Sequence, residues 1–143
     1  LKIGNLEYFP VADESRLLDL AVNIVYEGKI PPDKIPHEAG RLHFQNWTIT
    51  PWAKLIFTVF RRNLKYMFMH ASLIAERVFK GPIKFSSVDL GPTKIKLTLE
   101  NSEYPIEHFR GFLQEWISYF GLKGEVIVKE QSPSRYEYII KWE

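Results

Sequence analysis

The sequence predicts an α+β fold in which N-terminal helices pack on a four-stranded antiparallel sheet. Between Pro105 and Gly121, apolar residues recur at steps of three and four, which is the spacing of an amphipathic helix. On either side of this helix, short segments alternate apolar and polar residues, which is typical of half-buried strands. A helix with so broad an aromatic stripe needs a broad apolar partner, and an antiparallel sheet supplies one.

The C-terminal half, residues 81–143, is predicted to be a hairpin, a helix and a second hairpin. Gly91-Pro92 marks the turn of the first hairpin. Pro105 suits the first turn of the helix, and Gly121 suits its end because glycine adopts the left-handed conformation readily. The last strand carries its large apolar residues on one face, namely Tyr136, Tyr138, Ile140 and Trp142.

The N-terminal half, residues 1–80, is predicted to be mainly helical. Leu1–Val11 is predicted to be an extended arm or an edge strand. Asp13 is the expected N-cap of a first helix, which Gly28 ends, and a short helix is expected within His37–Trp47.

A second helical region is expected to begin at Thr50-Pro51, where a hydroxyl cap precedes a proline. It continues to Lys80 with an unusually apolar pattern. Arg61, Arg62 and Asn63 interrupt that pattern, so the sequence allows either two helices or one bent helix.

Composition indicates a single domain spanning residues 1–143 with a substantial core. The chain is 45% hydrophobic and 15% aromatic, and its formal net charge of +2 does not indicate a large nucleic-acid footprint. It has no cysteine, which excludes disulfides, thiolate metal sites and a cysteine nucleophile. No apolar run reaches the roughly 20 residues that span a bilayer, and we expect a cytoplasmic location.

Several local features together resemble an uncharacterised bacterial family that is abundant in myxobacteria. They are the helix start at Thr50-Pro51, the Leu90-Gly91-Pro92 hairpin, the helix containing Phe109–Leu113 and the final strand Tyr136–Trp142. That family is similar in turn to four-vinyl-reductase domains, haem-dependent nitric-oxide-binding domains and vesicle-tethering (TRAPP) subunits. The resemblance covers residues 39–142. It implies a ligand-binding or protein-interaction domain and carries over no catalytic residue.

The chain also departs from the branches of that group. The haem-binding branch uses a helix histidine as iron ligand and a Tyr-x-Ser-x-Arg signature, whereas here Ser134-Arg135 precedes Tyr136 in the wrong order. The vinyl-reductase branch often has cysteines near its C-terminus, and this chain has none. Haem or another apolar ligand stays open as a cofactor, but no motif supports it.

Aromatic residues are the best candidates for a ligand site. Large rings can line an apolar pocket between helices and sheet, although such a set more often forms a filled core. The candidates for ligand contact are His70, Tyr66, Phe68, Trp116 and Tyr138. The wider aromatic set, which we expect to face inward, is Trp52, Phe60, Phe68, Phe109, Phe112, Trp116, Tyr136, Tyr138 and Trp142.

A basic cluster of Arg61, Arg62 and Lys65 is the candidate contact for an anion or an acidic partner. A solvated helix face explains the same cluster more simply. Aromatic residues interleave with these charges, as in single-stranded nucleic-acid sites, but the near-neutral balance makes nucleic acid a minor option.

Metal binding and catalysis have little support in the sequence. The four histidines are scattered: His37 and His43 are six residues apart and do not share a helix face, and His108 is expected to be exposed. No phosphate-binding glycine loop or Gly-x-Ser-x-Gly elbow is present. We therefore predict no metal site and no catalytic residue.

Three functional hypotheses follow. The leading one is a non-enzymatic regulatory or sensory domain in signalling, which binds a small apolar ligand or a partner protein. The second is an interaction module that forms a homodimer through the Pro51–Lys80 region. The third, by analogy alone, is an enzyme acting on a tetrapyrrole or a haem-binding domain, with His70 as its first candidate residue.

Overall fold

A computed structural model describes residues 11–60, 63–78 and 82–143. A single 3₁₀ turn at Pro32–Lys34 leads into the second of six helices found among these residues. The helices are α1 (Val11–Val25), α2 (Ile35–Thr48), α3 (Pro51–Val59), α4 (Leu64–Met69), α5 (Ala71–Val78) and α6 (Ile106–Tyr119). The strands are β1 (Lys84–Gly91), β2 (Lys94–Glu100), β3 (Gly124–Ser132) and β4 (Arg135–Trp142).

The four strands form one antiparallel sheet in the order β1-β2-β4-β3. Each hairpin joins neighbouring strands, and the two hairpins meet where β2 pairs with β4, for example at Leu97 and Tyr138. α6 connects the hairpins and packs against the sheet, mainly against β3. The predicted α+β fold, with one helix inserted between two hairpins, is confirmed.

Several predicted boundary signals have the expected geometry. Thr50 caps α3, because its hydroxyl accepts a hydrogen bond of 3.2 Å from the backbone N–H of Ala53. Gly121 follows α6 with a φ of +71°. The N-cap predicted at Asp13 is wrong, because Asp13 lies inside α1. The arm predicted over Leu1–Val11 lies outside the described residues except for Val11, which belongs to α1.

The region predicted as two helices or one bent helix contains three short helices among residues 51–60 and 63–78. The first break lies between α3 and α4, where Asn63 caps α4 by accepting a hydrogen bond of 2.9 Å from the N–H of Tyr66. The second break is at His70, which separates α4 from α5. A continuous apolar pattern hid this second break, because α4 and α5 both turn an apolar side inward.

Two glycines allow α2 and α6 to cross with their backbones in contact. A Cβ atom on Gly40 would overlap the carbonyl of His108, and one on Gly111 would overlap the carbonyl of His37. The two contacts are reciprocal, since each helix supplies one glycine and one carbonyl. Any larger residue at either position would force the helices apart.

The core fills the space between the helices and one face of the sheet. Most of the predicted aromatic set is buried there, but Trp52 is 55% exposed on α3, so its predicted inward position is wrong. Trp142 is half-buried at the edge of the core. The largest fully buried side chains are Tyr104, Tyr138, Phe44, Phe68, Phe109 and Met67.

None of the helices in the described ranges combines the length and the apolar character needed to cross a bilayer.

Candidate functional site

An inner cavity lies between the helices and the sheet. Its volume is about 30 Å³, and aromatic or aliphatic side chains form all of its walls. The walls come from Trp47, Phe68, Ala71, Ile74, Ala75, Phe85, Leu97, Phe109, Phe112, Leu113 and Trp116. A space of this size holds about one water molecule, whereas pockets for drug-sized ligands measure roughly 300–1,000 Å³. The aromatic side chains therefore form a nearly filled core here and not an open ligand pocket.

A larger space opens to the surface between α4, the turn after β1 and the ends of α6 and β4. This aromatic groove has a volume of about 610 Å³. It is lined by Asn63, Leu64, Lys65, Tyr66, Met69, Pro92, Phe120, Leu122 and Trp142. Its volume falls within the range of small-molecule pockets, and its walls are mostly apolar with a few polar groups, but it is widely open to solvent.

Lys65 is the charged side chain on the wall of the aromatic groove, and its position is fixed by β1. Its ammonium group lies 2.8 Å from a carboxylate oxygen of Asp89 and donates a hydrogen bond of 2.9 Å to the carbonyl of Gly91. The Asp89 carboxylate also accepts a hydrogen bond of 2.9 Å from the N–H of Gly91. The hydrogen bond from Lys65 and the one from Gly91 both lower the pKa of Asp89.

The break between α4 and α5 at His70 lies between the two spaces, because Met69 is on the wall of the aromatic groove and Ala71 is on the wall of the inner cavity. Nδ1 of His70 is 2.8 Å from the carbonyl oxygen of Tyr66, and its ring packs on that of Tyr66 with centroids 4.2 Å apart. The hydroxyl of Ser87 on β1 donates a hydrogen bond to the carbonyl of Phe68. His70 and Ser87 thus add side-chain hydrogen bonds to carbonyls at the end of α4, where the backbone N–H of His70 also bonds the carbonyl of Tyr66.

The five predicted ligand residues divide between different places. Phe68 and Trp116 line the inner cavity, with ring centroids 5.1 Å apart, while Tyr66 lines the aromatic groove and is 51% exposed. His70 is on the wall of neither space. Tyr138 is fully buried, and its hydroxyl donates a hydrogen bond of 3.0 Å to the carbonyl of Ile106. Burial raises the pKa of Tyr138.

The inner cavity and the aromatic groove are neighbours. The ring of Phe68, on a wall of the cavity, lies 6.1 Å from the ring of Trp142, on a wall of the groove. Of the predicted anion contact, Lys65 lies on the groove wall, whereas Arg61 and Arg62 lie outside the described residues.

Sequence reasoning missed the C-terminal part of the groove. Phe120, Leu122 and Trp142 reach it from the end of α6 and the end of β4. These residues belonged to predicted core stripes or connectors, and no local pattern distinguishes a ring on a groove wall from a ring in a core. Only the packing of α4 beside these ends creates the groove.

The exposed position predicted for His108 is wrong. His108 is fully buried in the first turn of α6, and its Nε2 lies 3.0 Å from Nδ1 of His43 on α2. The ring of Tyr104 stacks on it, with centroids 4.4 Å apart. Burial lowers the pKa of His108 to about 3, and the nearby His43 lowers it as well. His108 is therefore neutral at physiological pH.

Within residues 11–60, 63–78 and 82–143, no group of three or more histidine, aspartate or glutamate side chains is arranged to hold a metal ion. The His43–His108 pair is a hydrogen-bonded contact between two helices. It provides two imidazoles and no third ligand from the described residues.

Comparison with solved structures places the fold in a known class, that of H-NOX (haem nitric oxide/oxygen binding) domains. No protein-family model matches the sequence, and no curated protein matches it either. The likeness is therefore one of three-dimensional structure, at sequence identities of 16–20%.

Three of these structures illustrate the match. An oxygen-binding H-NOX domain related to soluble guanylate cyclases, solved as its oxygen complex, superposes with a TM-score of 0.73 at 18% identity, covering 100% of this chain and 77% of its own. A point mutant of the T. tengcongensis H-NOX domain superposes with a TM-score of 0.72 at 16% identity, and the match covers 95% of this chain and 76% of the mutant. A Cs H-NOX mutant superposes with a TM-score of 0.73 at 16% identity, and the match covers 95% of this chain and 75% of that mutant.

Proposed function

We propose that this chain is a non-enzymatic regulatory domain that senses a small, largely apolar molecule held in the aromatic groove. The observation that carries the proposal is the groove itself, an opening of about 610 Å³ with aromatic walls and one charged side chain from the described residues. The H-NOX fold of sensory domains related to guanylate cyclases agrees with a regulatory role. Signalling and a cytoplasmic location belong to the same proposal.

The lack of an enzymatic role in this proposal follows from the groups on the groove wall. General acid–base or nucleophilic catalysis needs a reactive side chain that is positioned against the substrate and available to exchange a proton with it or to attack it. Lys65 is the one charged group that the described residues contribute to the wall, and Asp89 and Gly91 already engage it. Binding therefore explains this arrangement better than catalysis.

Haem is named for the H-NOX neighbours, but the described side chains supply no histidine ligand beside either space. Haem iron takes an axial ligand from histidine, cysteine, methionine or tyrosine, most often histidine. All four histidines are described, and none lies on the wall of the inner cavity or of the aromatic groove. Of the other ligand types, Tyr66 and Met69 lie on the groove wall. The inner cavity, at about 30 Å³, is also far below the size of a ligand pocket.

Native mass spectrometry of the freshly purified protein, with its absorbance spectrum recorded alongside, tests the proposal. We expect a retained small molecule, or a saturable change in tryptophan fluorescence when apolar aromatic probes are added. The Trp142→Phe variant should lose most of that fluorescence response, whereas Trp52→Phe, on the surface of α3, should keep it. A response that follows Trp52, or none with any probe, would remove the groove as the sensing site.

An interaction module that forms a homodimer is the second candidate, because α3 exposes an apolar stripe. Trp52, Leu55 and Val59 follow helical spacing on one side of α3 and are 55%, 51% and 62% exposed. Stripes of this kind often mark interaction surfaces. Light scattering after size-exclusion chromatography should then give a dimer mass that Leu55→Lys reduces to a monomer mass, and a monomer at high concentration would exclude this candidate.

A further inference from the structure

Building on the proposed function, we infer that the molecule bound in the aromatic groove is flat and uncharged and carries one hydrogen-bond acceptor for Lys65. This inference concerns the chemical class of the ligand. It comes from the side chains on the groove wall and from the partners that Lys65 already has.

The flat, apolar part of the ligand follows from the rings on the wall. Tyr66 stands on the α4 side of the groove, and Phe120 and Trp142 stand on the side formed by the ends of α6 and β4. Trp142 and Phe120 are half-buried, so each is held by the core while part of its ring faces outward. Partly exposed rings that line the same opening favour a planar aromatic body, which gains both burial and stacking.

The acceptor follows from the hydrogen bonds of Lys65. An ammonium group has three N–H donors. The described residues use two of them, one for Asp89 and one for the carbonyl of Gly91. These two contacts hold the ammonium group at the groove wall and leave it with capacity for one further acceptor, which an oxygen atom of the ligand would supply.

The absence of charge on the ligand follows from Asp89. Its carboxylate lies 2.8 Å from the Lys65 ammonium group, and the hydrogen bond from Lys65 is the largest of the causes that lower the pKa of Asp89, which keeps the carboxylate ionised. An anionic ligand beside Lys65 would meet this carboxylate, so the attraction of the ammonium group and the repulsion of the carboxylate would largely cancel. A neutral carbonyl gains the hydrogen bond without that repulsion.

The experiment compares two probes of nearly equal shape, acetylnaphthalene and naphthoate, which differ in carrying a neutral ketone or a carboxylate. Affinities are measured by tryptophan fluorescence and confirmed by calorimetry. We expect wild-type protein to bind the ketone at least roughly tenfold more tightly than the carboxylate. Lys65→Met should weaken ketone binding by roughly tenfold, the loss of one hydrogen bond from a charged donor. Lys54→Met, which removes an exposed lysine of α3, is the matched control and should change neither affinity.

Asp89→Asn is the decisive variant, because it removes the opposing charge and keeps the shape of the side chain. We expect it to raise the affinity for naphthoate by roughly tenfold and to leave the ketone nearly unaffected. The inference is overturned if wild-type protein prefers naphthoate, which would restore Arg61, Arg62 and Lys65 as an anion site, or if Asp89→Asn leaves the preference unchanged. If neither probe binds wild-type protein, the proposed function fails, and the inference fails with it. If the probes bind with the wrong preference, the inference alone fails, so the two failures are distinguishable.

Discussion

Nδ1 of His43 and Nε2 of His108 lie 3.0 Å apart and join α2 to α6 through two imidazole rings. His108 has no exposed surface, and its Nδ1 has no hydrogen-bond partner among the described residues. A proton on His108 would place a charge in this buried contact, which explains why burial, followed by the nearness of His43, lowers the pKa of His108 to about 3.

We expect this pair to make the stability of the fold sensitive to acid. The pKa of His108 is about 3 in the folded state and 6.5 when unperturbed, so the unfolded chain binds one more proton between these values. The contribution of His108 to the free energy of unfolding is complete above the pKa of the unfolded state and decreases as pH falls towards the pKa of the folded state. We expect a loss of about 3 kcal/mol between about pH 6.5 and pH 4 from this group.

Urea denaturation at several pH values measures this loss. His108→Phe keeps a ring against Tyr104 and should flatten the pH dependence by about one proton, whereas His37→Gln should leave it in place. If the free energy of unfolding falls with pH equally steeply in the wild type and in His108→Phe, His108 does not cause the acid sensitivity.

The crossing of α2 and α6 should tolerate no side chain at its two glycines. Gly40→Ala places a methyl group against the carbonyl of His108, and Gly111→Ala places one against the carbonyl of His37. We expect each to lower the free energy of unfolding by about 1–3 kcal/mol, the usual cost of overpacking. Asn46→Ala, on the exposed side of α2, is the control and should be nearly neutral. Full stability of both glycine variants in thermal denaturation would contradict the close crossing.

The contact between Ser87 and the end of α4 should contribute measurably to stability. Ser87→Ala removes the hydroxyl that donates to the carbonyl of Phe68, and we expect a loss of about 1 kcal/mol. Ser86→Ala changes the neighbouring residue, which is exposed on the other face of β1, and should have little effect. Chemical denaturation of the two variants side by side makes the comparison, and equal stabilities would show that the hydroxyl contact is dispensable.

Tyr138 should contribute to the free energy of unfolding through its hydroxyl as well as through its ring. Tyr138→Phe keeps the buried ring but leaves the carbonyl of Ile106 without this donor, and we expect a loss of about 1–2 kcal/mol. Tyr66→Phe, at a half-exposed ring on the groove wall, should change stability by less than about 0.5 kcal/mol. Differential scanning calorimetry of both variants gives the comparison, and an unchanged Tyr138→Phe would argue against an energetic role for the hydrogen bond.

The fold could be predicted from the sequence to the extent that its signals are local. The alternation in β2 and β4, the stripe of α6 and the Thr50-Pro51 cap each depend on residues close together in the chain. The break at His70 was missed because α4 and α5 continue one apolar pattern, and the hydrogen bond that Ser87 donates to Phe68 there comes from another element of the fold.

The candidate site was less predictable for the same physical reason. The sequence identified Tyr66 and Lys65, but not that Trp142 lines the same groove. It predicted an exposed position for His108 because this residue lies beside Glu107 in the first turn of α6, and the glycine contact that brings α2 over it has no local signature. Trp52 had the pattern of a core residue, but no element covers that side of α3 within the described residues.

The sheet order β1-β2-β4-β3 also sets the order in which the molecule can assemble. Each outer pair closes through a short turn, so either hairpin can form from neighbouring residues. The central pairing of β2 with β4 must wait until the intervening α6 has brought distant parts of the chain together. We therefore expect the seam at the middle of the sheet to close last during folding, and its amide protons to be among the slowest to exchange with solvent in the folded protein.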